Sequence, residues 1–233
     1  MAYDFDKIAD NYDRLNHLMT FGLDRRWRRR GARWLTHGQW RPKCLDVAAG
    51  TGDLAFAMYS YGAAEPVVCV DLSQKMLDIA GSKLSLEAEC IVADAEALPF
   101  GDGSFDCVGC AFGIRNFVHL ERGLGEMVRV LKPGGRMMLL ELATPDSRLL
   151  RPFYNLYTRH LIPWLGERIA GNREAYTYLP KSIEQFPKGK AMKRIIKAQG
   201  CKVHQRKLFF GVCRIYKCEK TDHYGRQLFR KEV

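Results

Sequence analysis

No apolar run in the chain approaches the ~18 consecutive residues that a membrane-crossing helix needs. The opening residues, Met1-Ala2-Tyr3-Asp4-Phe5-Asp6, carry neither the basic stretch nor the apolar one that directs secretion. Metal-binding spacing is nearly absent as well. Among eight cysteines only Cys107-Val-Gly-Cys110 has a CxxC separation, and no second pair or histidine couple completes a site. That pair lies in Phe105–Phe112, which reads as a buried strand. Side chains three apart on a strand face opposite ways, so these thiols cannot grip one ion, and no metal is expected. Internal repeats, low-complexity tracts and the Asn/Asp-Pro-Pro-Tyr/Phe signature of base-flipping enzymes are also lacking. What is present is an ordinary globular composition, 47% hydrophobic and 27% charged over 233 residues. A chain of that length buries a core without staples. The expectation is a soluble, cytoplasmic protein whose cysteines are mostly reduced core residues.

The net charge of +11 is unevenly placed. Residues 1–43 carry ten basic and five acidic side chains, residues 44–178 twelve and seventeen, and residues 179–233 fifteen and four. Basic ends around an acidic middle suit an anionic partner. A membrane face would contribute up to ~1 kcal/mol per well-placed cation, a nucleic acid would bind with steep salt dependence, and a merely solvated basic face is the plain alternative.

The first helix is predicted from Phe5, Ile8, Tyr12, Leu15, Leu18 and Met19, which fall on one face. Gly22 breaks it, and a second helix follows with Leu23, Trp27, Gly31 and Trp34 on one side and arginines over much of the rest. From residue 43 short apolar runs alternate with helical patterns. Lys43–Ala48, Val67–Val70, Glu89–Val92, Phe105–Phe112 and Arg136–Glu141 read as strands, and Leu54–Ser60, Gln74–Leu84 and Arg122–Leu131 as helices. Such alternation predicts βαβ units and a mostly parallel sheet covered on both faces. Lys132-Pro133-Gly134-Gly135 reads as a helix stop and turn. Residues 145–180 break the rhythm with an aromatic-rich insertion punctuated by Pro152, Pro163 and Pro180. A helix near Lys190–Ala198 and strands near Lys202–Phe209 and Val212–Cys218 then close the sheet. The last residues, 219–233, read as a polar tail.

After the first strand comes Asp46-Val47-Ala48-Ala49-Gly50-Thr51-Gly52-Asp53-Leu54-Ala55. Glycines at a strand-to-helix turn let a ligand approach the backbone, and the helix N-terminus offers free N–H groups. Gly50-x-Gly52-x-x-Ala55 followed by Asp71 fits an NAD dehydrogenase and an S-adenosylmethionine enzyme alike. Two further acids separate them. Asp46, ending the first strand, would meet the ammonium of an amino-acid ligand but repel a pyrophosphate. Asp94, after the third strand, would accept from an adenine amino group while the Ala95 N–H bonds a ring nitrogen, leaving Asp71 for the ribose hydroxyls. Three acids ending three successive strands suit a sulfonium nucleoside with an amino-acid tail. A helix N-cap is the bland reading of any one of them.

These residues resemble the class I S-adenosylmethionine-dependent methyltransferases. Further stretches are similar to the ubiquinone/menaquinone biosynthesis C-methyltransferases: Tyr12-Asp13-x-x-Asn16-x-x-x-Thr20-x-x-x-Asp24-x-x-Trp27, Ala95-Glu96-Ala97-Leu98-Pro99-Phe100, Phe112-Gly113-Ile114-Arg115-Asn116, Arg129-Val130-Leu131-Lys132-Pro133-Gly134-Gly135 and Tyr176-x-Tyr178-Leu179-Pro180-x-Ser182-Ile183. The similarity spans roughly residues 3–218. Departures are Asp24 where the family usually has His, Ala111 and Ala143 where it has Ser, and a last strand without the usual Ala-Leu-His ending. The resemblance implies a Rossmann-like α/β fold with a seven-stranded, mostly parallel sheet. It also implies an N-terminal helical cap (1–42) and a methyltransferase domain (43–218) with the helical insertion (145–180).

The resemblance further implies S-adenosylmethionine as cofactor, held by Asp46, Gly50, Thr51, Gly52, Asp71, Leu72, Asp94, Ala95 and Ala111. The implied substrate is a prenylated quinol methylated on a ring carbon, demethylmenaquinol foremost, with no nucleic acid involved. Tyr12, Asn16, Tyr154 and Tyr176 are expected to line its pocket, under the 149–165 segment. An aromatic carbon becomes nucleophilic once a neighbouring hydroxyl is ionised. Arg115 is the expected stabiliser of that phenolate, with Asn116 orienting substrate or water. Candidates for the base are His119, Tyr154, His160, Tyr176 and Tyr178. A lipid substrate would also give the basic ends a function in docking peripherally on the anionic inner face of the cell membrane. A homodimer is left open. Methylation of another substrate such as RNA, an NAD-dependent reductase, and a non-catalytic subunit are the competing readings.

Overall fold

A computed structural model describes residues 5–63, 66–170 and 173–221. Its centre is a seven-stranded sheet in the order β3-β2-β1-β4-β5-β7-β6. The described residues open with a 3₁₀ turn, Phe5–Ile8, that runs into α1 (Ala9–Met19), so the predicted first helix is two pieces. Gly22, at φ +71°, reverses the chain into α2 (Leu23–Thr36). Then follow β1 (Cys44–Val47), α3 (Asp53–Ser60), β2 (Val67–Asp71), α4 (Gln74–Leu84) and β3 (Ala88–Val92). Next come β4 (Phe105–Ala111), α5 (Leu120–Arg129) and β5 (Leu131–Leu142). These five strands are parallel. After the insertion, α9 (Lys190–Ala198) leads to β6 (Cys201–Leu208) and β7 (Cys213–Lys220), and β7 pairs antiparallel with both β5 and β6.

Side-chain alternation divides the core. Leu45, Val47, Val68, Val70 and Cys110 pack on one face with Leu124, Met127, Met192 and Ile196 from α5 and α9. Cys44, Val67, Cys69 and Cys107 pack on the other with Trp27, Leu35, Leu54, Met58 and Leu77 from α2, α3 and α4. Cys107 and Cys110 therefore lie on opposite faces, as strand geometry demands. Each such aliphatic side chain contributes on the order of 1.5–3 kcal/mol by leaving water. Seven of the eight cysteines are buried, and Cys90, on the edge strand β3, is exposed.

Three boundaries differ from the sequence expectation. The strand expected at Arg136 already pairs at Leu131. Lys132–Gly135 loops out between the pairs Phe105↔Leu131 and Cys107↔Arg136, with Gly134 at φ +71° making the turn. The insertion does not end at Pro180. It comprises α6 (Arg151–Leu156), a wide helical turn at Tyr157–Leu161, α7 (Ile162–Ala170) and α8 (Arg173–Gln185), and α8 carries Pro180 in its interior. The expected tail begins too early, because β7 continues through Lys220, and residues 222–233 lie outside the described residues. The insertion, α1 and α4 form a third cluster through Leu15, Met19, Met76, Ile162 and Tyr176. Among the described residues no helix is long and apolar enough to cross a membrane.

Candidate active site

Strand order reverses at β1, whose neighbours are β2 and β4. At the carboxyl edge of such a sheet the reversal leaves a crevice for a ligand. A cavity of about 490 Å³ opens there, lined by Asp46, Gly50, Thr51, Asp71, Leu72, Asp94, Ala95 and Ala111. Eight of the nine residues expected to hold a cofactor thus share one chamber. The ninth, Gly52, lies behind the loop. It has φ +81°, and a Cβ there would sit 2.7 Å from Leu84 Cδ1. Glycine at this position lets α3 pack on α4, which is a structural requirement, whereas a Cβ at Gly50 (φ +55°) would meet only Tyr12, at 3.9 Å.

Each acid has a distinct environment. Asp46 is 1% exposed, and neither carboxyl oxygen has a hydrogen-bond partner among the described residues. Burial pushes its pKa up to about 8, with the nearby Ala55 amide and Arg28 opposing part of the rise. A buried, unsatisfied carboxyl is costly unless a ligand cation or donor completes it. Asp71 braces the loop: it accepts from Gly50 N at 2.8 Å and Ser73 N at 3.0 Å. Burial raises its pKa, and these backbone bonds oppose the rise. Asp94 is exposed and accepts from Glu96 N at 2.8 Å, which folds the turn after β3. Thr51 donates to Asp13 of α1.

A second cavity of about 360 Å³ lies between α1, α2 and the insertion. It is walled chiefly by apolar side chains, and Arg115, Tyr12, Asn16 and Tyr154 line it. Tyr12, Arg28 and Phe112 line both chambers and form the partition between them. The other expected site residues are placed differently. Asn116 faces the first cavity and accepts from the Tyr178 hydroxyl at 3.2 Å. Tyr178 lines neither cavity. Tyr176 is 3% exposed inside the third core cluster, against Gly166, and lines neither chamber, so it packs the cap.

Arg115 stands in the 3₁₀ turn Ile114–Asn116 that follows β4. Its Nη1 donates to Glu141 Oε1 at 2.7 Å, with both side chains buried. Burial would lower the guanidinium pKa, but Glu141 outweighs it, so the group stays charged. Its Nε is buried without a hydrogen-bond partner among the described residues, leaving one donor uncommitted. The expected base candidates fare less well. Burial raises the pKa of Tyr154 and of Tyr12, which keeps both phenols neutral. His119 pairs with Glu96 at 2.8 Å, and His160 is exposed on the wide turn.

Sequence reasoning did not single out the network behind the partition. Asp24 lines the second cavity and is 1% exposed. It accepts from His17 at 2.8 Å, from Thr20 at 2.7 Å and from Arg28. Burial alone would raise its pKa, but Arg28 and the other donors hold it below the usual carboxylate range. Arg28 also lies 3.5 Å from Asp53 and stacks over the Phe112 ring at 4.9 Å. Only the four-residue spacing of Asp24 and Arg28 hinted at a pair. His17, Asp24 and Asp53 converge closely enough to suggest an ion. Two cations already serve the two carboxylates, however: Arg28 pairs with Asp24 and Lys83 with Asp53 at 2.9 Å, with Arg28 3.5 Å from Asp53 as well.

Solved structures with this architecture include S-adenosylmethionine-dependent methyltransferases. One is a possible histamine N-methyltransferase from Thermotoga maritima, with TM-score 0.64 and 18% identity, covering 93% of this chain and 98% of that one. Another is a putative methyltransferase from Haloferax volcanii solved with its Trm112 activator, with TM-score 0.67 and 17% identity, covering 95% and 99%. The fold is therefore that of the class I methyltransferases. Residues 2–220 match the ubiE/COQ5 methyltransferase family, and the chain belongs to it. It is 44% identical to the demethylmenaquinone methyltransferase of Thermus thermophilus, over 91% of this chain and 97% of that protein. It is 41% identical to the ubiquinone/menaquinone biosynthesis C-methyltransferase of Geobacter sulfurreducens, over 93% and 86%.

Proposed function

We propose that the protein methylates a ring carbon of a prenylated quinol, with demethylmenaquinol as the foremost substrate and S-adenosylmethionine as donor. The observation that carries this reading is the partition of Tyr12, Arg28 and Phe112. It separates a chamber ringed by acids from an apolar chamber that holds a buried cation. The first suits a cationic nucleoside with an amino-acid tail, and the second suits an aromatic ring on a hydrocarbon chain.

S-adenosylmethionine, once bound, supplies an electrophilic sulfonium methyl. Asp46 takes the ammonium of its amino-acid portion, which satisfies the buried carboxyl. Asp71 takes the ribose hydroxyls on the oxygen lone pairs that its loop bonds leave free, and Asp94 and Ala95 take the adenine edge. In the second chamber the quinol loses a hydroxyl proton, and the charge spreads onto the ring carbon that attacks. Arg115 stabilises that charge with its uncommitted Nε–H in a site of low dielectric. Tyr12 and Tyr154 are too weakly basic to accept the hydroxyl proton, and Asp24 is saturated by three donors. The proton therefore goes to water, drawn off by the electrostatics of Arg115. Transfer would need ring carbon and methyl within roughly 3–3.5 Å of each other, and the two cavities adjoin at Tyr12, Arg28 and Phe112. As the C–C bond forms the S–CH₃ bond would break and the donor would leave as its neutral thioether. The ring C–H proton passes to water and the ring oxygen regains one, which restores the aromatic quinol with a net release of one proton. Such a substrate resides in a bilayer, so the protein works in peripheral contact with the membrane face.

Purified protein should add one methyl, by mass spectrometry, to a short-tailed demethylmenaquinol in the presence of S-adenosylmethionine. It should show a thermal shift with S-adenosylmethionine and none with NADH. Methylation of a methoxy-benzoquinol analogue in preference would move the substrate to the benzoquinol branch. No transfer to either ring would end the reading.

A further inference from the structure

Five apolar side chains both line the second cavity and stand open to solvent, so they form its mouth: Phe21, Leu150, Phe153, Phe209 and Phe210. Phe21, Phe153 and Phe210 are 74%, 73% and 73% exposed. The backbone at three of them is unusual. Phe21 has φ +53°, Phe209 +43° and Phe210 +54°, in the left-handed region that bulky residues rarely adopt. Phe209 and Phe210 sit in the turn between β6 and β7, with ring centroids 5.6 Å apart. Phe21 occupies the bend between α1 and α2 and stacks on Tyr157 at 6.1 Å. A turn built only to reverse the chain is easier with Gly or Asn. Phenylalanine held there at a conformational cost, with its ring outward, points to work done by the ring.

Cations surround the same mouth. Arg25 and Arg26 follow Phe21 by one helical turn, Arg148 and Arg151 bracket Leu150, and Arg206 and Lys207 precede the Phe209–Phe210 turn. All six are exposed. Asp146 is the acid set against them, paired with Lys207 and Arg214 at 2.6 Å each. An apolar tip within a basic collar is the arrangement that settles into an anionic lipid interface.

We propose that Phe21, Phe209 and Phe210, with the collar of Arg25, Arg26 and Arg206, insert into an anionic bilayer and seat the mouth of the second cavity on it. The prenyl tail then passes from hydrocarbon into the apolar chamber without crossing water. This rests on the quinol reading above, because it assigns the bilayer as the route of that substrate.

The test uses the full chain and vesicles of phosphatidylcholine with or without phosphatidylglycerol. Wild type should float with the anionic vesicles and release at high salt. Phe209→Ser/Phe210→Ser, checked for folding by melting temperature and for S-adenosylmethionine binding by calorimetry, should bind them at least tenfold more weakly. Arg25→Glu/Arg26→Glu/Arg206→Glu should lose vesicle binding and raise KM for a long-tailed quinol supplied in vesicles. It should leave turnover of a short-tailed soluble quinol unchanged. Wild type that methylates the short quinol but ignores anionic vesicles would overturn the surface while leaving the function standing. Vesicle binding without any methylation would do the reverse. A concentration-dependent dimer abolished by Phe209→Ser/Phe210→Ser, with vesicle affinity unchanged, would reassign the mouth to contact between two copies.

Discussion

Arg115 Nη1, in the turn after β4, and Glu141 Oε1, near the end of the neighbouring strand β5, meet at 2.7 Å, and both side chains are shut away from water. Glu141 Oε1 also accepts from the Leu142 amide at 2.8 Å, so the acid is fixed before it fixes the arginine. Arg115→Ala leaves a buried carboxylate alone, which costs about 3–5 kcal/mol of stability. If Arg115 also stabilises phenolate, turnover falls by roughly 10²–10³. The two effects separate in the double variant Arg115→Met/Glu141→Gln. Its melting temperature should recover, because no lone charge remains, while kcat stays low. Recovery of kcat together with stability would reduce Arg115 to a structural partner. Arg115→Lys should keep most of the stability and lose part of the rate, since it keeps the charge without the planar fork.

The proton on Asp46 makes cofactor binding depend on pH. Its folded pKa of about 8 lies above the ~3.9 of an unfolded aspartate. The apo-protein therefore holds a proton that the unfolded chain releases. The destabilisation from this group grows as pH rises from about 4 to about 8 and is constant above. Binding pairs the carboxylate with an ammonium that itself titrates near about 8, so affinity for S-adenosylmethionine should rise toward about pH 8 as Asp46 ionises and fall above it as the ammonium loses its proton. Calorimetry in buffers of different ionisation enthalpy should register one proton released at pH 7. Asp46→Asn should abolish that release, weaken cofactor binding and raise the apo melting temperature most at alkaline pH.

Gly50 and Gly52 should fail in different ways. Gly50→Ala has room for its methyl and carries only left-handed strain, on the order of 1 kcal/mol, but narrows the cofactor chamber. Gly52→Ala drives a methyl into Leu84 and Ala80 as well. Melting temperature should therefore drop further for Gly52→Ala, and the loss of cofactor affinity at equal folded fraction should be larger for Gly50→Ala.

Asp71→Ala removes a loop brace as well as the expected ribose ligand. The charge-assisted bonds at stake are worth ~1.5–3 kcal/mol each before compensation. Affinity for S-adenosylmethionine should fall by about one to two orders of magnitude for each such bond lost, with a smaller effect for Asp71→Asn, which keeps one acceptor. Unchanged affinity in calorimetry would withdraw Asp71 from the cofactor.

The sheet was legible wherever local pattern and long-range pairing agree. Val67–Val70 and Gln74–Leu84 read directly because burial on the two faces imposes the periods of strand and helix. Lys132–Gly135 misled because the chain there is a turn that nonetheless sits within β5, and only its partner Phe105 reveals the early pairing. Pro180 suggested a stop, yet tertiary packing carries α8 through it. In the site, the acids ending β1 and β2 could be placed by counting from the glycines. Glu141 could not be seen as the partner of Arg115, because they are 26 residues apart and meet only through β4–β5 pairing. Tyr176 illustrates the opposite error. An aromatic residue beside a pocket motif was buried by the shape of Gly166, which no spacing rule records.

The wall of Tyr12, Arg28 and Phe112 has a consequence for how two immiscible worlds are joined. The methyl donor is a water-borne ion and the acceptor is dissolved in oil, and neither tolerates the other's solvent. Chambers that adjoin at these shared side chains let each remain in its own phase while a single carbon passes where they meet. Donor and acceptor can then load and leave by separate doors, and the spent nucleoside need not wait for the lipid to depart.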